Sequence, residues 1–293
     1  MTAPARENAR EFEPVYHYYG PHRVGLPPLV PYFRELWHRR GFATEMSRAT
    51  MRGANTSTVL GQAWLVLNPL LLAGVYYLLV TILRGGDHDS GIFVHLTLGL
   101  FAFNLVSSSI TSGTTSVVSS GKLLINTAFP RLLIPLSAVR TAFFRFLPTV
   151  PVYFAFHIGF LTDVWSPKML LSLYFLGTMV VFSMGLAAFF AAVQVYFRDT
   201  SSFLPYFVRI WMYLSPVLWA SEHLTGRLTP VTEALIKINP MYSMLTGYGD
   251  LLQTDAWPPA FVWYASAAWA IGAAVIGFLF FMSRERDFAV RLT

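Results

Sequence analysis

The sequence predicts an all-α integral membrane protein. It has six transmembrane helices, an amphipathic helix ahead of the first, and a pair of re-entrant helices between the fifth and sixth. Three observations carry this. Six apolar stretches, 60–83, 91–121, 146–162, 169–197, 200–221 and 256–283, reach or nearly reach the ~20 residues that cross a ~30 Å hydrocarbon core as helix. The chain is 55% hydrophobic and 12% charged, about half the charged fraction of a soluble domain. Its cations are sorted by position. Sixteen Lys and Arg lie before residue 60, between 122 and 145, at Arg198 and after 283, whereas Arg84, Lys168, Arg227 and Lys237 occupy the other loops. That asymmetry places both termini in the cytoplasm. It also accounts for the net charge of +6 without nucleic acid.

Residues 1–29 read as a cytoplasmic tail, broken by Gly20, Pro21, Pro27 and Pro28. They lack the apolar core of a cleavable signal. Residues 30–58 form an interface region. Pro31 suits a first helical position, and Phe33, Leu36 and Trp37 share one face opposite Arg34, Glu35 and Arg39, with Arg40 following. Such a basic amphipathic helix lies along the membrane surface. Residues 59–285 are the transmembrane domain, and 286–293 a cytoplasmic tail. The second half of span two carries eight hydroxyls between Ser107 and Ser116. They bond back to their own helix, allow close packing, or face a wet cavity. Pro130 and Pro135 bracket a short element in the cytoplasmic loop 119–139. Pro148 and Pro151 predict a kink in span three. Asp199 sits where it can cap span five. In the outside segment, 231–238 is amphipathic, Asn239-Pro240 stops it, and 241–252 resumes an apolar pattern. These lengths suit re-entrant pieces. Ser266, Ala270 and Ala274, with Gly272 and Gly277, give span six a small-residue stripe for close packing.

Chemistry on this chain has little to stand on. There is no Cys, and no Gly-x-x-x-x-Gly-Lys-Ser/Thr loop for ATP. Asp87-His88-Asp89 is a short solvated turn rather than a metal site. His95 and His157 read as packing residues. Ion-coupled transporters bury acids at mid-membrane, and these spans hold none. Energy for transport would therefore enter from a partner docked on the cytoplasmic loops, although a passive channel or structural membrane protein also fits. Aromatics make up 16% of the chain. Trp64, Tyr76, Tyr77, Tyr206, Trp211 and Tyr213 are either headgroup anchors and packing groups or a conduit on which sugar rings slide. Arg209 is the one charge inside a predicted span. It either snorkels to the headgroups or meets a phosphate or diphosphate bidentately.

Leu60-Gly61-x-x-Trp64-x-x-Leu67-x-Pro69-Leu70 resembles the start of span one in ABC-2 type permeases. Phe129-Pro130-Arg131-x-x-Ile134-Pro135-Leu136 resembles their loop after span two. Tyr196-Phe197-Arg198-Asp199, Ser215-Pro216 and Asn239-Pro240 match three further landmarks in order. The resemblance covers residues 30–285 and is greatest to the polysaccharide-export subgroup, which moves O antigens, capsules, teichoic acids and cell-wall galactan. It implies a homodimer in the bacterial plasma membrane, paired with two copies of a nucleotide-binding subunit. ATP and Mg would bind that subunit, and this chain would hold no cofactor. The cargo would be a glycan on a polyprenyl diphosphate. The helix around Phe33, Leu36, Trp37 and Arg40 would meet the ATPase. Asn126, Phe129, Pro130, Arg131, Pro135, Arg198 and Asp199 would couple to it. Asn239, Pro240 and Tyr242 would belong to gate helices, and spans one and five would line the conduit. A drug or lipid efflux permease is the alternative within the family. The sequence departs from the family at 55–58, where Asn-Thr-Ser-Thr replaces a basic run, and at Gly249, near a customary Arg.

Overall fold

The computed structural model describes residues 26–53, 60–83, 90–127, 129–161, 165–219, 229–254, 256–288 and 291. Among them the secondary structure is helical throughout. Two helices at the N-terminal side, α1 (Leu29–His38) and α2 (Arg40–Gly53), meet at a turn on Arg39, so the interface region is two helices. The bundle follows as α3 (Trp64–Leu83), α4 (Ser90–Ser119), α5 (Gly121–Asn126), α6 (Leu133–Phe146), α7 (Thr149–Phe160), α8 (Ser172–Tyr196) and α9 (Thr200–Tyr213). Then come α10 (Pro230–Ile238), α11 (Pro240–Gly249) with a π-helical turn at Asp250–Thr254, and α12 (Ala260–Arg284). Residues 87–89 and 55–58 lie outside the described residues.

Among the described residues five helical stretches are long and apolar enough to cross a membrane: Gly61–Ile82, Gly91–Ser119, Leu133–Phe160, Pro167–Tyr196 and Ala260–Asp287. This is one fewer than the sequence predicts. The expected span 200–221 is helical only as α9, about 21 Å at 1.5 Å per residue. It ends at Tyr213, and Leu214 to Trp219 form turns. Span three begins at Leu133 rather than Phe146, because Pro135 sits in the first turn of α6, where its missing N–H costs nothing. Pro130 and Pro135 therefore do not bracket a separate element. The predicted kink falls at Leu147-Pro148, between α6 and α7.

Small residues set the centre. α8 packs on α4 and α12, and α6 packs on α4. A Cβ on Gly113 would meet Ala187, and Cβ atoms on Gly185 and Gly277 would run into the facing backbone of the α8–α12 crossing. Ala187, Ala188, Ala191, Ala192, Ser266 and Ala270 are buried alongside. Without a hydrophobic driving force between helices in lipid, such close approach supplies the cohesion. Gly272, by contrast, faces open space. The α4 hydroxyls divide. Ser109, Thr114 and Ser116 are buried and donate to carbonyls at Leu105, Ile110 and Gly113 (2.7, 2.7 and 2.6 Å). Ser107, Ser108 and Thr111 instead line a cavity. α3 packs mainly on α4 and leaves Leu71, Val75, Leu78 and Ile82 exposed, a surface fit for lipid or another protein.

Candidate functional site: a polar cavity and the packed ends of the bundle

α3, α4, α6, α7 and α9 line a half-open cavity of about 1020 Å³. Trp64, Asn68 and Tyr76 come from α3, Asn104, Ser107, Ser108 and Thr111 from α4, Arg145 from α6, Thr149 from α7, and Arg209 and Tyr213 from α9. The Tyr76 and Tyr213 hydroxyls lie 3.1 Å apart, with their rings edge to face at 6.4 Å. That contact ties α3 to α9 across the cavity. Ser108 donates to Asn104 Oδ1 at 3.3 Å, which leaves the Asn104 amide nitrogen as a donor. Among the described residues no Asp or Glu lines the cavity.

Four residues expected at a conduit or phosphate site, Trp64, Tyr76, Tyr213 and Arg209, lie on this cavity. Three do not. Tyr77 packs edge to face on Phe93 at 5.4 Å. Tyr206 points away and is 68% exposed. Trp211 takes the opposite face of α9, against Phe103 and Phe182, beside an apolar groove of about 710 Å³ shared with α8 and α12. Arg145 escaped the sequence reading, as did Asn104. Starting span three at Phe146 put Arg145 in a loop. Counting helix from the Pro130 stop would have placed it inside.

At one end of the bundle α1, the start of α6 and the end of α12 are joined. Tyr32 donates to Glu285 Oε2 at 2.7 Å in a buried contact, and Arg131 donates to the Glu285 carbonyl. Burial above all, then the charge and hydrogen bond of Glu285, push the Tyr32 hydroxyl up from its ordinary value, so it stays a donor. Phe129 packs on Phe42 at 4.6 Å. Ser47 of α2 accepts from Thr141 of α6 at 2.9 Å. Pro130 and Pro135 are buried. Asn126 ends α5, and its side chain is outside the described residues. Leu36 packs inward, while Phe33 and Trp37 face outward and the Arg40 guanidinium lies 4.2 Å from the Trp37 ring centre. Arg198 and Asp199 are exposed. Asp199 makes no side-chain cap. Gln194 does that work, accepting from the Ser201 N–H at 2.8 Å and donating to the Arg198 carbonyl at 2.9 Å.

At the other end Asn239 is a junction. Its Oδ1 accepts from the Trp211 indole (2.8 Å) and the Met241 N–H (3.0 Å). Its Nδ2 donates to the Leu214 carbonyl (3.0 Å) and Ser215 Oγ (3.1 Å). Two sequence landmarks, Ser215-Pro216 and Asn239-Pro240, thus meet in one hydrogen-bonded cluster. Pro240 occupies the first turn of α11. Tyr242 is buried, stacked 6.4 Å from Phe261.

No protein-family model matches the chain. It is similar to an O-antigen export system permease protein RfbA of Klebsiella pneumoniae, 32% identical over 200 residues, which are 67% of this chain and 73% of the relative. The chain belongs to the O-antigen export permeases, of the ABC-2 type. A second Klebsiella pneumoniae protein of that name is 29% identical over 201 residues, with the same shares of each chain. The Myxococcus xanthus protein of that name is 25% identical over 263 residues, 89% of this chain and 99% of the relative. The O-antigen export permease described here is thus a multi-pass membrane protein whose similarity to a relative runs nearly end to end.

Proposed function

We propose that this permease is the membrane subunit of an ABC transporter that exports a polyprenyl-diphosphate-linked polysaccharide of the O-antigen kind. It works as a homodimer in the bacterial plasma membrane, with both termini cytoplasmic. ATP is hydrolysed on two copies of a separate subunit. One observation carries the reading: the bundle walls a polar cavity with an aromatic rim, yet the interiors of its described spans hold no carboxylate. A proton- or cation-driven pump places acids there. An externally driven permease does not need them. The packed end at Tyr32, Phe129, Arg131 and Glu285 offers a surface through which a second subunit could act, since it joins three elements rigidly. Trp64, Tyr76 and Tyr213 offer flat faces on which sugar rings slide without a tight hydrogen-bond demand. Asn239, Pro240 and Tyr242 brace the opposite mouth. The test is depletion of the permease in cells, followed by locating the lipid-linked glycan. Export predicts accumulation on the cytoplasmic leaflet, and an unchanged distribution overturns the proposal.

A further inference from the structure

Two guanidinium groups, Arg145 and Arg209, line the cavity from different helices, and no carboxylate among the described residues lines it. Arg145 is half-buried and Arg209 exposed on the cavity wall, and a cation within a span is costly unless water or a counter-ion meets it. α3, α6 and α9 all run from the bundle end that carries α1 and α2. Tyr76, Arg145 and Arg209 then lie roughly 14–18 Å along their helices, at 1.5 Å per residue. The two cations therefore fall within about one helical turn of the Tyr76–Tyr213 pair along the bundle. Asn104 adds an amide donor on the α4 wall. Two cationic donors line the cavity with no anionic side chain beside them among the described residues, an arrangement that suits an anion.

We infer that Arg145 and Arg209 together form a diphosphate site, with Arg145 as a binding residue in its own right. This deepens the export reading and rests on it. Two planar forks each take two oxygens of a phosphate, so two arginines suit two linked phosphates better than one. The cavity also has an apolar margin for a hydrocarbon chain. Leu72 lines it and is 41% exposed, and it continues into Val75 along α3. A diphosphate on a lipid satisfies both features, whereas inorganic pyrophosphate satisfies the first alone.

The test uses the full chain in phosphatidylcholine nanodiscs with radiolabelled farnesyl diphosphate, inorganic pyrophosphate and farnesol as probes. Farnesyl diphosphate should bind, pyrophosphate more weakly, and farnesol without dependence on either arginine. Arg145→Gln and Arg209→Gln should each weaken farnesyl diphosphate roughly ten- to a hundredfold, the range for a lost charged hydrogen bond. Arg145→Lys should lie between Arg145→Gln and the unaltered chain, since it keeps the charge and loses the fork; it also controls for folding. Equal binding by all variants, or farnesol competing as well as farnesyl diphosphate, overturns the inference. Pyrophosphate binding as tightly as farnesyl diphosphate removes the lipid and leaves an anion site only. The two readings fail separately. If glycan still builds up inside depleted cells while Arg145→Gln binds and exports normally, the site is wrong and the export reading stands.

Discussion

Replacing Tyr32 with Phe removes one hydroxyl and little else. The ring keeps its edge-to-face contact with Phe33 at 6.1 Å. What disappears is the 2.7 Å donation to Glu285 Oε2. Tyr32 and Glu285 are each 9% exposed, so little water replaces the lost donor. A hydrogen bond to a charged group contributes about 1.5–3 kcal/mol net, and every ~1.4 kcal/mol is a factor of ten. The local opening of α1 away from the bundle should therefore become about ten- to a hundredfold more frequent. Hydrogen–deuterium exchange of the chain in nanodiscs reads this directly over residues 29–38. In the Tyr32→Phe, Glu285→Ala double variant the effects on this contact should not add, because each substitution removes it. Trp37→Ala, on the 68% exposed face, should leave α1 exchange near that of the unaltered chain. Unchanged exchange in Tyr32→Phe, or an equal effect from Trp37→Ala, would refute the view that this contact holds α1 to α12.

Two further substitutions probe the bundle. Gly277→Ala puts a methyl into the Gly185 backbone. It should destabilise by about 1–3 kcal/mol through overpacking, seen as a lower melting temperature in detergent, while Gly272→Ala, whose Cβ meets open space, should melt normally. Asn239→Ala strips the Trp211 indole and the Leu214 carbonyl of their partner. At roughly 0.5–1.5 kcal/mol for each half-buried hydrogen bond lost, it should raise exchange at 211–219 and 230–249 without altering α1.

Much of the fold was legible because lipid enforces a simple rule: backbone polar groups must be satisfied within the segment, so apolar length reports helix. Composition alone located α3, α4, α8 and α12, and Asn239-Pro240 marked the α10–α11 break. The helix of the third span begins earlier than the sequence predicts and that of the fifth ends sooner, for physical reasons. Arg140 and Arg145 interrupt the apolar run of α6, yet the helix passes through them; Arg145 faces the cavity, not lipid. Apolar residues beyond Tyr213 looked like helix, but the chain turns there, with the Leu214 carbonyl taken by Asn239, a contact between positions 25 residues apart. The cavity was half legible. Aromatic and hydroxyl positions pointed to α3, α4 and α9, but which face of α9 each occupies depends on packing, and Trp211 and Tyr206 fell on other faces. Glu285 gave no local signal, because its significance comes from Tyr32 at the far end of the sequence.

The central claim is that these acid-free helices are worked from outside. It is tested most directly by reconstituting the permease in vesicles loaded with lipid-linked glycan, with and without an ATP-hydrolysing partner subunit. Translocation against a gradient should require that subunit and ATP. Uphill movement by the permease alone would contradict the account.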